Sequence, residues 1–285
     1  MDLLLVVLGL LVVAAVLVDM FQTLLYPSGD GWLSSPLMGL LWKLSRRLRH
    51  PLGTATGTVA MVTVILTWVA LQVLGWALVY FPYVPDGFSY SPGIVPADYP
   101  DFAEALYLSL VAIGTLGLGD VVGVGPWLRF ALPLQALTGF ALLTAALTWF
   151  SQIEGPLLRR RGLASELRSL GETSAHLARW DPASTTGILH GLVQQVVAVR
   201  IDFEQHSEQF YFPETDPDVS LGRQLGHAVA LRDAALASAD VTVHDAGARL
   251  GVALEGLAAS LSEQFLHTDG SVAETLAAYR AEHAI

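Results

Sequence analysis

Cysteine is absent from the 285 residues, and lysine occurs once, as Lys43. Without cysteine there are no disulfides, no thiolate metal ligands and no cysteine nucleophile. Charge is also scarce: 14% of residues are charged, against about 25% in an ordinary soluble domain. That shortfall excludes a single soluble globular domain. Disorder is excluded as well, because it needs low hydrophobicity and 53% of this chain is hydrophobic. The net charge of −11 rules against a general nucleic-acid binder, which needs a basic face for phosphates. No apolar strand precedes a Gly-x-Gly-x-x-Gly turn, so no dinucleotide cofactor is expected. No nucleophile, base and metal ligands converge in the pattern, so no enzyme is expected.

The averages cover two unlike halves. Residues 1–162 hold 8 Lys/Arg and 9 Asp/Glu; residues 163–285 hold 7 and 17, so the second half carries −10 of the −11. Seven of the eight histidines also lie there. The first half is apolar in long runs. Leu3–Val18 is uninterrupted and continues past Asp19; Val59–Phe81 and Trp127–Phe150 are the other two. Each reaches the ~20 residues that span a hydrocarbon core. A cleaved signal peptide would begin with a basic region, whereas this chain begins Met1-Asp2 and has no base before Lys43. The first run therefore reads as a retained helix.

Flanking charge orients the three runs. Lys43, Arg46, Arg47 and Arg49 follow the first, and Arg159, Arg160 and Arg161 follow the third. Between the second and third lie Asp86, Asp98, Asp101, Glu104 and Asp120, with no base before Arg129. The expected topology is a multi-pass protein of the cell membrane, with its N-terminus outside, three crossings and the C-terminal half in the cytoplasm. Trp76, Tyr80, Phe81 and Tyr83 are expected as an aromatic belt at the outer interface.

Phe102–Ile113 is a fourth apolar segment, too short to cross and of the length of a re-entrant helix. Asp101 is expected to cap it. Gly114-Thr115-Leu116-Gly117-Leu118-Gly119-Asp120 follows. Its backbone polar groups cannot face lipid; irregular backbone at membrane depth survives only inside protein or along a water-filled path. Alternating glycines permit conformations that turn successive carbonyls to one side, where those of several chains could replace a cation's water.

The stretch Ala105-Leu-Tyr-Leu-Ser-Leu-Val-Ala-Ile-Gly-Thr-Leu-Gly-Leu-Gly-Asp120 resembles the pore helix and selectivity filter of the tetrameric potassium channel family. That family's filter reads Thr-Val-Gly-Tyr-Gly-Asp, and four of six positions coincide here. The resemblance covers about residues 58–152. It implies K⁺ as the permeant ion, coordinated by the carbonyls of Thr115, Leu116, Gly117 and Leu118 and by the Thr115 hydroxyl. Gly119 then belongs to the outer mouth, and Asp120 pairs behind the filter or faces the vestibule. Gly139 falls near the family's inner-helix hinge, and Pro133 is a second candidate for a bend; close helix packing is the alternative role for Gly139. One pore unit per chain implies a homotetramer.

Four positions depart from the pattern. Leu118 replaces an aromatic whose hydroxyl braces the filter, Leu116 replaces valine, Gly114 replaces a frequent threonine, and Val111 stands where some members carry a buried glutamate. These departures leave a second reading, a weakly selective cation channel. A third is a membrane-anchored sensor or scaffold that does not conduct.

Elsewhere, Asp19 is an ionisable group in a membrane run, read either as an interfacial carboxylate or as a partner of Arg46/Arg47 or the gate. Arg159–Arg161 set topology and are available to membrane lipid headgroups. No run carries regular arginines, so no voltage sensor is expected. The second half shows helical periodicity, with helices expected over Leu163–Arg179, Thr185–Phe210, Leu221–Ala239, Val241–His267 and Val272–Ala284 and a break at Trp180-Asp181-Pro182. His176, His190, His206, His227, His244, His267 and His283 show no i, i+4 metal spacing. The fold class is thus an all-α membrane protein: three transmembrane helices, a re-entrant pore helix and filter, then a cytoplasmic helical bundle. The expected divisions are 1–53, 54–162 and 163–285. The last assembles or gates the pore and leaves room for a regulatory ligand.

Overall fold

The computed structural model describes residues 2–25, 31–48, 51–173 and 181–283. Met1, Arg49, His176, Arg179, Trp180 and Ala284, named above, lie outside the described residues. The chain divides into two compact units. One comprises α1 (Asp2–Leu25), residues 31–34 and residues 61–150; the other comprises residues 35–60 and the chain from 151 onward.

In the first unit three helices are long and apolar enough to cross a membrane: α1, the helix that becomes α3 (Thr56–Tyr80), and α5 (Leu128–Thr173). Helix α2 (Ser34–Arg47) stands between the first two in the chain, and the short α4 (Asp101–Ile113) between the last two. Among the described residues, the strands are a single pair of three residues each, β1 (Phe88–Tyr90) and β2 (Val121–Gly123), antiparallel with Tyr90 opposite Val121. They tie down the two limbs that flank α4.

Small residues let α1 and α3 approach closely. A Cβ on Gly9 would lie 2.4 Å from the carbonyl oxygen of Gly75, so the backbones touch, as small residues allow between membrane helices. Gln72 donates to the Val13 carbonyl in the same crossing (3.2 Å). Two of the four aromatics expected as a belt turn inward instead, while Phe81 and Tyr83 stay part-exposed. Trp76 and Tyr80 are buried, stack on each other with centroids 5.8 Å apart, and pack with Phe88, Leu108 and Leu128 in the core of the unit. The hydropathy of that stretch is uniform, so only the packing tells its inner face from its outer one.

The second unit is a helical bundle. Its helices are α6 (Pro182–Gln205), α7 (Leu221–Leu236), α8 (Val241–Leu261) and α9 (Val272–Glu282), close to expectation. Their starts are written locally. Asp181 accepts from the Ser184 N–H with Pro182 at the first helical position, Asp240 accepts from Thr242 and Val243, and Ser271 and Glu274 form a capping box. The first expected helix has no start of its own. Nothing between residues 151 and 163 stops α5, so one 46-residue helix belongs to both units.

The stretch expected as a plain linker between the first two crossings packs as well. Trp42 of α2 is 4% exposed and sits in the bundle core beside Phe210 and Tyr211, its indole donating to Glu282 (3.3 Å).

Candidate functional site

Helix α4 begins differently from expectation. Pro100 occupies the capping position, and no side chain caps the helix; Asp101 lies inside the first turn with Glu104. Both acids still oppose the positive end of the helix dipole. At the other end Gly114 closes the helix, and Gly114, Thr115 and Leu116 donate their N–H groups back to Leu110, Ala112 and Val111 at 3.0–3.1 Å.

The backbone then alternates in hand. Thr115, Gly117 and Gly119 have φ of +54°, +54° and +76°, and the leucines between them do not have positive φ. Alternation of this kind sets successive carbonyls on one side of a strand. For Thr115, a β-branched residue, it costs on the order of 1–3 kcal/mol, a strain that marks functional segments. Among the described residues, the carbonyls of Thr115, Leu116, Gly117 and Leu118 accept no hydrogen bond. Those beyond them are used: the Gly119 carbonyl takes the Ser91 hydroxyl (3.5 Å) and the Asp120 carbonyl takes the Ser91 N–H (2.8 Å). Residues 114–119 are all exposed in the single chain, Leu116 to 64% and Leu118 to 60%.

Behind this strand the support is specific. Tyr107 on α4 donates its hydroxyl to the Asp120 carboxylate, whose other oxygen accepts from the Val121 N–H (3.0 Å). Asp120 is thereby held against α4. Ser109, fully buried, donates to the Val73 carbonyl of α3 (2.8 Å), and Gln135 of α5 donates to the Ser109 carbonyl and hydroxyl at 2.9 and 2.7 Å. This buried polar knot joins three helices. The sequence pattern carried no sign of it, because a lone Ser and a lone Gln in apolar runs read as tolerated polar residues. Gly139 lies where α5 crosses the end of α4, and helix α5 is unbroken through Pro133 and Gly139.

Other candidates fall into place by their contacts. Asp19 is fully buried and pairs with none of the described arginines. Its carboxylate accepts from the Trp68 indole (2.7 Å) and from the N–H groups of Leu33 (2.7 Å) and Ser34 (3.4 Å), where α2 begins. Glu104 is buried too, which removes it from the acids facing solvent, whereas Asp86, Asp98 and Asp101 are exposed. Arg159–Arg161 all meet carboxylates, although Arg159 and Arg161 remain about half exposed. Arg159 grips Asp202 with two bonds (2.7 and 2.6 Å), and Arg160 and Arg161 share Glu214 (3.0 and 2.9 Å). Among the described residues no group of three or more His, Asp or Glu is placed to hold a resident metal ion.

Residues 63–153 match the protein family described as "Ion channel". This segment is an ion-channel domain. It takes in most of α3, all of α4, the alternating strand and the membrane part of α5, and it supports the resemblance to potassium channels that the 105–120 motif carries. A family of channels argues against an enzyme. The chain is also 24% identical over 176 residues to an "Uncharacterized membrane protein YdjJ" of Bacillus subtilis, covering 60% of this chain. It spans about half the length of that relative (50%). No solved structure matches the chain.

Proposed function

We propose that the ion-channel domain is a passive, potassium-selective pore built by four copies of the chain. The observation that carries this reading is the run of four carbonyls, Thr115–Leu118, that have no hydrogen-bond donor among the described residues and lie on a backbone of alternating hand. Such carbonyls can replace the hydration shell of K⁺ and pass ions by knock-on between adjacent sites. The strand is exposed in one chain, and irregular backbone cannot face lipid, so further copies must enclose it around a water-filled axis. In this reading the C-terminal end of α4 points its partial negative charge at the ion path. The loop bearing Asp86, Asp98 and Asp101 is extracellular, and the bundle is cytoplasmic. A regulatory ligand of the bundle would find a cavity of about 920 Å³ lined in part by Trp42, Lys43, Arg46, Phe265 and His267.

One observation favours the second reading, a weakly selective cation channel. Leu118 has no hydroxyl to brace the strand from behind, which leaves the Tyr107–Asp120 bond and the Ser91 contacts to hold it at the mouth. Reversal potentials of the purified chain in liposomes with K⁺ on one side and Na⁺ on the other separate the two. A potential near the K⁺ equilibrium value supports selectivity; equal permeabilities overturn it. An assembled tetramer that carries no K⁺, Na⁺ or Rb⁺ overturns the channel reading altogether.

A further inference from the structure

Helix α2 has two apolar faces, and only one of them is accounted for. At 100° per residue, Met38 and Trp42 share a face, and that face is buried in the bundle unit (3% and 4% exposed). About 200° around lie Leu40, Leu44 and Leu48, which are 63%, 51% and 60% exposed. Lys43 and Arg47, both exposed, flank this leucine stripe. Residues 31–60 contain no acid at all, in a chain with a net charge of −11.

We propose that this outer face of α2 lies in the membrane interface, with the leucines among the acyl chains and Lys43 and Arg47 on anionic lipid headgroups. Three observations converge. The stripe and its cationic flank have the pattern of a helix that lies in the plane of a bilayer surface. The start of α2 is held at membrane level, because the N–H groups of Leu33 and Ser34 are bonded to Asp19 within the membrane helix α1. The chain re-enters a membrane helix only nine residues after Arg47, at Thr56. Charge complementarity selects anionic lipid: each base near an anionic surface adds attraction, and no carboxylate in this segment opposes it. The buried face of the same helix joins the bundle core, so α2 would read lipid composition on one side and touch the bundle on the other. The proposal rests on α1 and α3 crossing the membrane, not on ion selectivity, so it and the flux assay fail independently.

The lack of cysteine makes the test clean. Single substitutions Leu40→Cys, Leu44→Cys and Leu48→Cys, with Glu263→Cys in the bundle as control, are labelled with an environment-sensitive fluorophore. The full chain is then reconstituted in phosphatidylcholine vesicles with and without phosphatidylglycerol. Brominated acyl chains should quench the three α2 labels severalfold more than the control label, and aqueous iodide should quench them less. Lys43→Gln with Arg47→Gln, which leaves the leucines intact, should remove the gain in lipid quenching that phosphatidylglycerol brings. Iodide reaching the α2 labels as readily as the control overturns the proposal. Labels shielded from both quenchers also overturn it, since protein then covers the stripe.

Discussion

A methyl group on Gly139 would lie 2.1 Å from the carbonyl oxygen of Ile113. The inner helix α5 therefore meets the end of α4 at a point with no room for a side chain. This favours packing over a hinge as the role of Gly139, because the clash is with rigid backbone rather than with a flexible side-chain tip. Gly139→Ala should lower the stability of the detergent-solubilised chain by about 1–3 kcal/mol, the range for overpacking a close contact. Thermal unfolding checks it. A hinge without a packing role would instead leave stability unchanged or raised, since alanine is the better helix former.

The bond from Tyr107 to Asp120 ties the mouth of the strand to α4. Its acceptor is a carboxylate oxygen, and hydrogen bonds to charged groups contribute ~1.5–3 kcal/mol. Tyr107→Phe keeps the ring and removes the bond. The permeability ratio of K⁺ over Na⁺ should fall about tenfold, the factor that ~1.4 kcal/mol represents, while the chain still assembles. Reversal potentials of wild type and variant in matched liposomes provide the measurement.

Asp19 binds donors on both sides, the Trp68 indole and the backbone at the start of α2. Asp19→Asn preserves shape but turns an N–H₂ group toward a donor, whichever way the amide is placed. Leaving a buried donor unsatisfied costs about 1–3 kcal/mol. Adding Trp68→Phe removes the opposing donor and should recover part of the loss. A double-mutant cycle by thermal unfolding isolates the coupling; additive effects would mean that the indole contact contributes nothing.

These cases divide what the sequence makes legible from what it does not. Lipid imposes its rules locally: run length and flanking charge mark the three long helices and the short α4, and the ban on exposed irregular backbone singles out residues 114–119 as the candidate strand. The supports around that strand come from residues far apart in the chain. Gln135 reaches Ser109 across 26 positions and Asp19 reaches Trp68 across 49. Nothing near Asp19 in sequence distinguishes a satisfied buried carboxylate from an interfacial one. The same holds for α2, whose basic residues were legible as a topology signal while its alternating faces became readable only once Trp42 was placed in the bundle core.

Arg160 is 1% exposed, although it stands in a basic triplet that reads as surface charge. It donates to the Gln209 and Phe212 carbonyls (2.6 Å each) and to Glu214. Arg160→Met should destabilise by ~3–5 kcal/mol, the cost of breaking a buried pair from one side. Arg168→Ala, which breaks exposed pairs with Glu172 and Asp218, should stay within about 1–2 kcal/mol. Unfolding of both variants in the same detergent tests the contrast, and equal losses would contradict the burial argument.

His206 ends α6 and faces Glu208 at 3.7 Å. The interaction with Glu208 holds the imidazole's pKa above its ordinary value of 6.5, and the charge of Asp202 adds to it; burial and Arg159 oppose it. A group whose pKa is raised by folding stabilises the fold while it is protonated. The contribution is complete below about pH 6.5, the ordinary histidine value, and disappears as pH rises through the raised folded value. The full-length chain should therefore lose thermal stability as pH rises above about 6.5, and His206→Gln should flatten that part of the profile. Comparing the two profiles removes the titration of the other histidines. A wild-type profile parallel to that of His206→Gln across this window would show that the Glu208 contact does not favour the charged imidazole.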